Sequence, residues 1–190
     1  MGLVYQNPFG GEWKGKFGDM VFARHAPGVQ IGRRRPTRKT PPTEAELLNR
    51  AAFRQAVIFA NAVWKNNPEL KAKYNAAARF GRGFELAKSD YLVRPRIEDI
   101  DPSGYLGKAG GIVRISAVDV FELAAVSVKI RDLAGTTLEE GAALFDNGVW
   151  VYTAKTEVAA GQTVTLEVSA KDHPGHTATR KADHVCGAAP

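Results

Sequence analysis

The apolar positions of this chain follow two different periods, and the change from one to the other falls near residue 96. Between residues 44 and 80 the spacing is helical. Leu48, Ala52, Gln55, Phe59 and Val63 fall at i, i+4, i+7, i+11 and i+15, with Phe53, Val57, Ala60 and Trp64 in a second row beside them. Arg50, Arg54, Asn61 and Lys65 take the opposite side. So wide an apolar face predicts a helix covered on more than one side, by a hairpin, a second helix or a partner. Its start is marked by Thr43-Glu44-Ala45-Glu46, a capping box in which the Thr43 hydroxyl accepts from the Glu46 amide and the Glu46 carboxylate reaches back. Asn67-Pro68-Glu69 supplies an N-cap, a proline at the first helical position and an acid in the first turn of a second helix, near 68–80. This helix turns Leu70, Tyr74 and Ala77 inward and Lys71, Lys73 and Arg79 outward, and Gly81 and Gly83 are read as its stop.

Beyond residue 96 the period becomes two. IVRIS, VSVKI, ALF, VWVYTA, TVTLEVSA and HTATRKADHV are short β-rich runs separated by turn clusters at Asp132–Gly135, Asp146-Asn147-Gly148, Ala160-Gly161 and Asp172–Gly175. Val126, Val128 and Ile130 share one face, as do Val164, Leu166, Val168 and Ala170. Six or seven half-buried strands of this kind predict a β-sandwich, with Trp150 as a core anchor and Tyr152 beside it. Residues 84–110, with Pro95 and Pro102, read as a connecting stretch. The predicted fold is therefore α+β: an N-terminal β-hairpin and two antiparallel helices in residues 1–96, then a sandwich in residues 97–190.

Ahead of the helices, residues 1–18 mix glycine, lysine and aromatics and suit an arm laid on another surface. The segment DMVFARHAPGVQIGRRR reads as a hairpin with strands near 19–25 and 29–35 about the Ala26-Pro27-Gly28 turn, followed by the proline-rich tether PTRKTPP.

Charge sharpens this division. Residues 1–96 hold 18 Lys+Arg against 7 Asp+Glu, a net of +11, while residues 97–190 hold 8 against 13, a net of −5. A basic half attracts phosphate, an acidic surface, or the acidic half of another copy. Its densest part is Arg33, Arg34, Arg35, Arg38 and Lys39, joined on the helices by Arg50, Arg54, Lys71 and Lys73. No apolar run approaches the roughly 18–20 residues of a membrane span. The first residues lack the basic and apolar regions of a secretory signal, which places the expected location in the cytoplasm or in a virion or other particle.

VSVKIRDLAGTTLEEGAA, GVWVYTA and GQTVTLEVSAKDHPGHTATR resemble the bacterial and phage immunoglobulin-like sandwich domains appended to surface and assembly proteins, over residues 112–185. The paired cysteines of antibody domains are missing. The N-terminal half, with GKFGDMVF and GRRRP, is similar to small uncharacterised bacterial and phage-type proteins, a resemblance that implies no activity.

Candidate chemistry is sparse. Asp172, His173, His176, His184 and Cys186 gather three of the four histidines and the single cysteine, a set with zinc-type donors. Asp172 and Pro174-Gly175 equally meet the needs of a strand-connecting turn, so no metal and no cofactor is expected. Glu139-Glu140 and Glu98, Asp99 and Asp101 read as solvated acidic turns. Trp13, Phe17, Phe22 and Phe53 lie near the basic run, where aromatics stack on unpaired bases or, more commonly, fill cores. Gly-x-Ser-x-Gly, a phosphate loop and His-Glu-x-x-His are all missing, so an enzyme is not expected. The leading expectation is a non-catalytic structural or assembly subunit that docks through its basic N-terminal region on other copies of itself or on an acidic protein. Nucleic-acid binding through Arg33–Lys39 is the alternative, and sugar or cell-surface binding by the sandwich loops is a third.

Overall fold

The computed structural model describes residues 2–4, 15–18, 20–26, 29–34 and 40–187. Contacts gather the chain into two compact units, Met1–Glu46 and Leu47–Pro190. The expected boundary at residue 96 is a statement about independent folding, which a fragment tests.

In the first unit, the expected hairpin is β3 (Met20–Ala26) and β4 (Val29–Arg34), paired antiparallel with Phe22 opposite Gly32. The arm contributes more than an unstructured lead. Gly2–Val4 (β1) pairs with β4 and Gly15–Phe17 (β2) pairs with β3, giving a four-stranded sheet in the order β1-β4-β3-β2. Two short segments rich in glycine carry little strand periodicity, so only their partners reveal them.

Helix α1 (Glu44–Asn66) begins at the expected box: the Thr43 amide donates to Glu46 Oε2 at 2.8 Å and the Glu46 amide to Thr43 Oγ1 at 3.4 Å. Helix α2 (Pro68–Ala77) has Asn67 as cap, its Oδ1 accepting from the Leu70 amide at 3.0 Å. A third helix follows where a connecting stretch was expected. Phe80 and Gly81 turn the chain with positive φ of 57° and 67°, and α3 runs Gly83–Leu92. Gly83 opens this helix instead of stopping the previous one, because a Cβ there would lie 2.9 Å from the Asn75 backbone nitrogen. Ala60, Val63, Leu70, Tyr74 and Ala87 form the helical core, with Phe59, Trp64, Phe84 and Phe121 packed against it.

Eight strands make the sandwich. One sheet has the order β5-β6-β10-β9 (Arg96–Gly104, Ile112–Val118, Val149–Thr153, Leu144–Asp146), and the other β12-β11-β7-β8 (Thr177–Val185, Thr163–Lys171, Ala125–Asp132, Thr137–Ala142), with every neighbouring pair antiparallel. The period of two is borne out on β7 and β11, where Val126, Val128 and Ile130 meet Val164, Leu166, Val168 and Ala170 in the core with Val113, Ile115, Tyr105 and Tyr152. Two strands escape the sequence pattern. β5 carries four acids or prolines in IEDIDP, and β8 turns an acid inward: Glu139 is buried, not solvated. Tyr152 Oη and the amides of Lys155 (2.7 Å) and Thr156 (2.8 Å) donate to its carboxylate. Burial pushes this acid up, but those three donors hold it below its ordinary value. Trp150 is only half-buried, and Tyr152, two residues on, fills the core position expected of it.

Candidate functional site

Where the helices meet the sandwich, a groove of about 430 Å³ opens between α2, the β6–β7 connection, the β9–β10 hairpin and the β11–β12 turn. Each wall follows from local structure. The β9–β10 hairpin turns on Asn147 and Gly148, both at positive φ, which brings the Phe145 ring to 5.3 Å from Trp150. The two rings form an apolar wall. Asp172 builds the β11–β12 turn as its sequence position predicts: Oδ1 accepts from the amides of Gly175 (2.7 Å) and His176 (2.6 Å), and Oδ2 lies 2.7 Å from His176 Nδ1. That turn sets His173 on the groove. Helix α2 contributes Lys73, whose Nζ lies 2.5 Å from Glu122 Oε1, an oxygen that also lies 3.2 Å from His173 Nε2. The hydrogen bond from Lys73 holds the Glu122 carboxyl below its ordinary range.

Two further acids, the half-buried Asp119 in the groove lining and the buried Asp90, interact electrostatically. Asp119 Oδ1 accepts from the Val120 amide at 2.7 Å, and its Oδ2 is buried with no hydrogen-bond partner among the described residues. Burial pushes its carboxyl up. Asp90 of α3 is 0% exposed; Tyr74 Oη donates to its Oδ2 at 2.5 Å, while Oδ1 has no partner among the described residues. Burial, reinforced by the charges of Asp119 and Asp172, raises Asp90 to about 6. Phe121 bridges the two regions, its ring centroid 4.4 Å from Tyr74 and 5.6 Å from His173. The arrangement suits binding: an aromatic wall faces charged and polar side chains of Lys73, Asp119, Glu122 and His173.

The residues singled out in the sequence are scattered by comparison. Arg33 and Arg34 lie on β4 opposite Val21 and Met20, while Arg35, Arg38, Lys39 and Trp13 lie outside the described residues. Arg50 and Arg54 are exposed on α1. Lys73 is ion-paired with Glu122, and Lys71 sits 6.0 Å from the Trp64 ring centroid. His173, His176, His184 and Cys186 are not brought together: His184 Nε2 donates to the Tyr105 carbonyl at 2.5 Å, and Cys186 is buried against Gly107. Among the described residues no group of three or more His, Cys, Asp or Glu side chains is placed to hold a metal ion. Phe53 is half-exposed beneath Lys88, whose Nζ is 5.0 Å from its ring centroid. Asp119, Phe121, Glu122 and Phe145 were not singled out, because each gains its meaning only from a partner remote in sequence.

No family model matches the chain, and no curated protein does. Among solved structures it is similar to CopC from Methylosinus trichosporium OB3b, at 19% identity over 49% of this chain and 93% of that one, with a TM-score of 0.39. It is also similar to a DUF4426 family protein from Pseudomonas aeruginosa PAO1, at 16% identity over 48% and 86%, with a TM-score of 0.34. A conjugative transposon lipoprotein from Bacteroides eggerthii matches at 9% identity over 48% and 94%, with a TM-score of 0.26. Likeness at these levels carries no argument about function.

Proposed function

We propose that this chain is a non-catalytic structural or assembly subunit that docks through its N-terminal third. The observation that carries this reading is α1. Leu47, Leu48 and Ile58 are 52%, 64% and 54% exposed on one helix, beside the exposed cations Arg50 and Arg54. Large apolar side chains grouped on a surface mark a contact, and the cations give that contact a preference for acidic protein. The Arg33–Lys39 run extends the same basic character, and the sandwich, closed around its own core, serves as a rigid spacer with an acidic surface for another copy. Kinship with immunoglobulin-like domains of bacterial or phage particles, and a location in the cytoplasm or in such a particle, belong to the same proposal. In the test, Arg33, Arg34, Arg35, Arg38 and Lys39 are replaced by Ser. The expected result is an unchanged circular dichroism spectrum with the oligomers of the wild type lost. If instead the wild type binds mixed-sequence oligonucleotides with an affinity that falls steeply with salt, and the variant does not, the protein is a nucleic-acid binder.

The groove favours a second reading, sugar binding by the sandwich loops. The Trp150–Phe145 wall offers a face for the C–H side of a sugar ring, and Asp119 and Glu122 line the same groove. Quenching of Trp150 fluorescence on titration with oligosaccharides, lost in Asp119→Ala, tests it.

A further inference from the structure

Helix α1 has two apolar faces, and among the described residues one is buried and the other exposed. Ala56, Ala60 and Val63 are buried. About a third of a turn round the helix, Leu48, Ala51, Gln55, Ile58 and Ala62 are all exposed. Their spacings are three, four, three and four, the a and d positions of a coiled-coil seam, and Glu44 and Lys65 continue the series at its two ends. We infer that this outer seam pairs with the same seam of a second copy, antiparallel, to form the core of a homodimer. The inference rests on the assembly reading above and names its partner.

The direction follows from charge and size. In a parallel pair Glu44 would face Glu44 and Lys65 would face Lys65, with the helix dipoles aligned. An antiparallel pair brings Glu44 of each helix to the last turn of the other, where Lys65 stands, and opposes the dipoles favourably. It also sets Leu48 against Ile58 of the second copy at both ends of the contact. Ala51 and Gln55 then fall in the middle, where the small side chain allows close approach and the amide of Gln55 selects one register, as polar residues at a positions do. Arg54 flanks the middle of the seam in both copies, a like-charge approach that weakens the pair at low salt. Three heptads are short for a permanent interface, so the dimer is concentration-dependent.

The test is sedimentation equilibrium of the full chain after nuclease treatment, in 1 M salt, where contacts made by the basic run are screened and the apolar seam is not. The wild type is expected to show a dimer. Leu48→Glu with Ile58→Glu, both at exposed positions, is expected to raise the dissociation constant at least about a hundredfold with an unchanged circular dichroism spectrum. In a second series at about 0.15 M salt, where an exposed ion pair is less screened, Glu44→Lys is expected to weaken the dimer, and Glu44→Lys with Lys65→Glu to restore it. A high-salt monomer overturns the seam whether or not salt-sensitive oligomers form at low salt; their presence or absence there decides the assembly reading separately. A dimer that is indifferent to both sets of substitutions also overturns it.

Discussion

Protonation of Asp90 should change the stability of this protein, and the sign is opposite to that of an ordinary paired carboxylate. Its carboxyl is fully buried between α2 and the sandwich, with Tyr74 donating to one oxygen and Asp119, Asp172 and His176 nearby. Burial raises it from 3.8 to about 6, so the folded protein holds the proton more tightly than the unfolded chain does. Stability from this group is therefore present in full below about pH 4, is lost as pH rises towards 6, and is gone at neutral pH. The difference corresponds to about 3 kcal/mol, or roughly 6–12 °C in melting temperature for a unit of this size. Other carboxylates act in the reverse sense: Glu122 and Glu139 are held low and lose their contribution on acidification. The informative quantity is thus the difference between wild type and Asp90→Asn, whose amide oxygen still accepts from Tyr74. Melting curves of both proteins from pH 4 to pH 7.5 should diverge, with the wild type gaining on the variant as pH falls. A difference that stays constant over that range refutes the reasoning.

Trp150→Ala should cost about 1–2 kcal/mol by urea unfolding, less than the loss for a fully buried aromatic, because Trp150 is half-buried beside Phe145; a cost above about 3 kcal/mol would place it in the core. Cys186 is buried and burial pushes its thiol up, so a thiol reagent should label it only on unfolding; rapid labelling of the native protein contradicts the packing around Gly107 and Tyr105. A fragment of residues 97–190 should fold alone, with the sheet signature of the whole protein in circular dichroism, since β5–β12 carry their own core. An unfolded fragment would show that the contacts of Phe121 with Tyr74 and of Glu122 with Lys73 are required.

What could be read directly from the chain was whatever rests on short-range chemistry. The box at Thr43–Glu46, the Asn67 cap, the Asp172 turn and the alternation along β7 and β11 each involve residues a few positions apart, and each stands where its pattern puts it. Helix α3 escaped because its signals conflict. Gly81 and Gly83 look like a stop, and Asp90 interrupts its apolar face, yet Gly83 answers a close approach by Asn75 and Asp90 is satisfied in part by Tyr74. Strand β8 escaped for the same reason, since an inward Glu139 makes sense only once Tyr152 and the Lys155 and Thr156 amides are beside it. The groove joins Lys73 to His173 through Glu122, and no local spacing encodes such a meeting. On α1 the rows were visible but their use was not: Leu48 and Gln55 share a predicted row with Val63, and only Val63 is buried.

The mass of the full chain in solution tests the account most directly. Light scattering after size exclusion at low salt, on protein treated with nuclease, should give a multiple of the 20.6 kDa chain that grows with concentration and declines towards the dimer as salt is raised. A mass of one chain at every concentration, or a larger mass that disappears with nuclease, would contradict it.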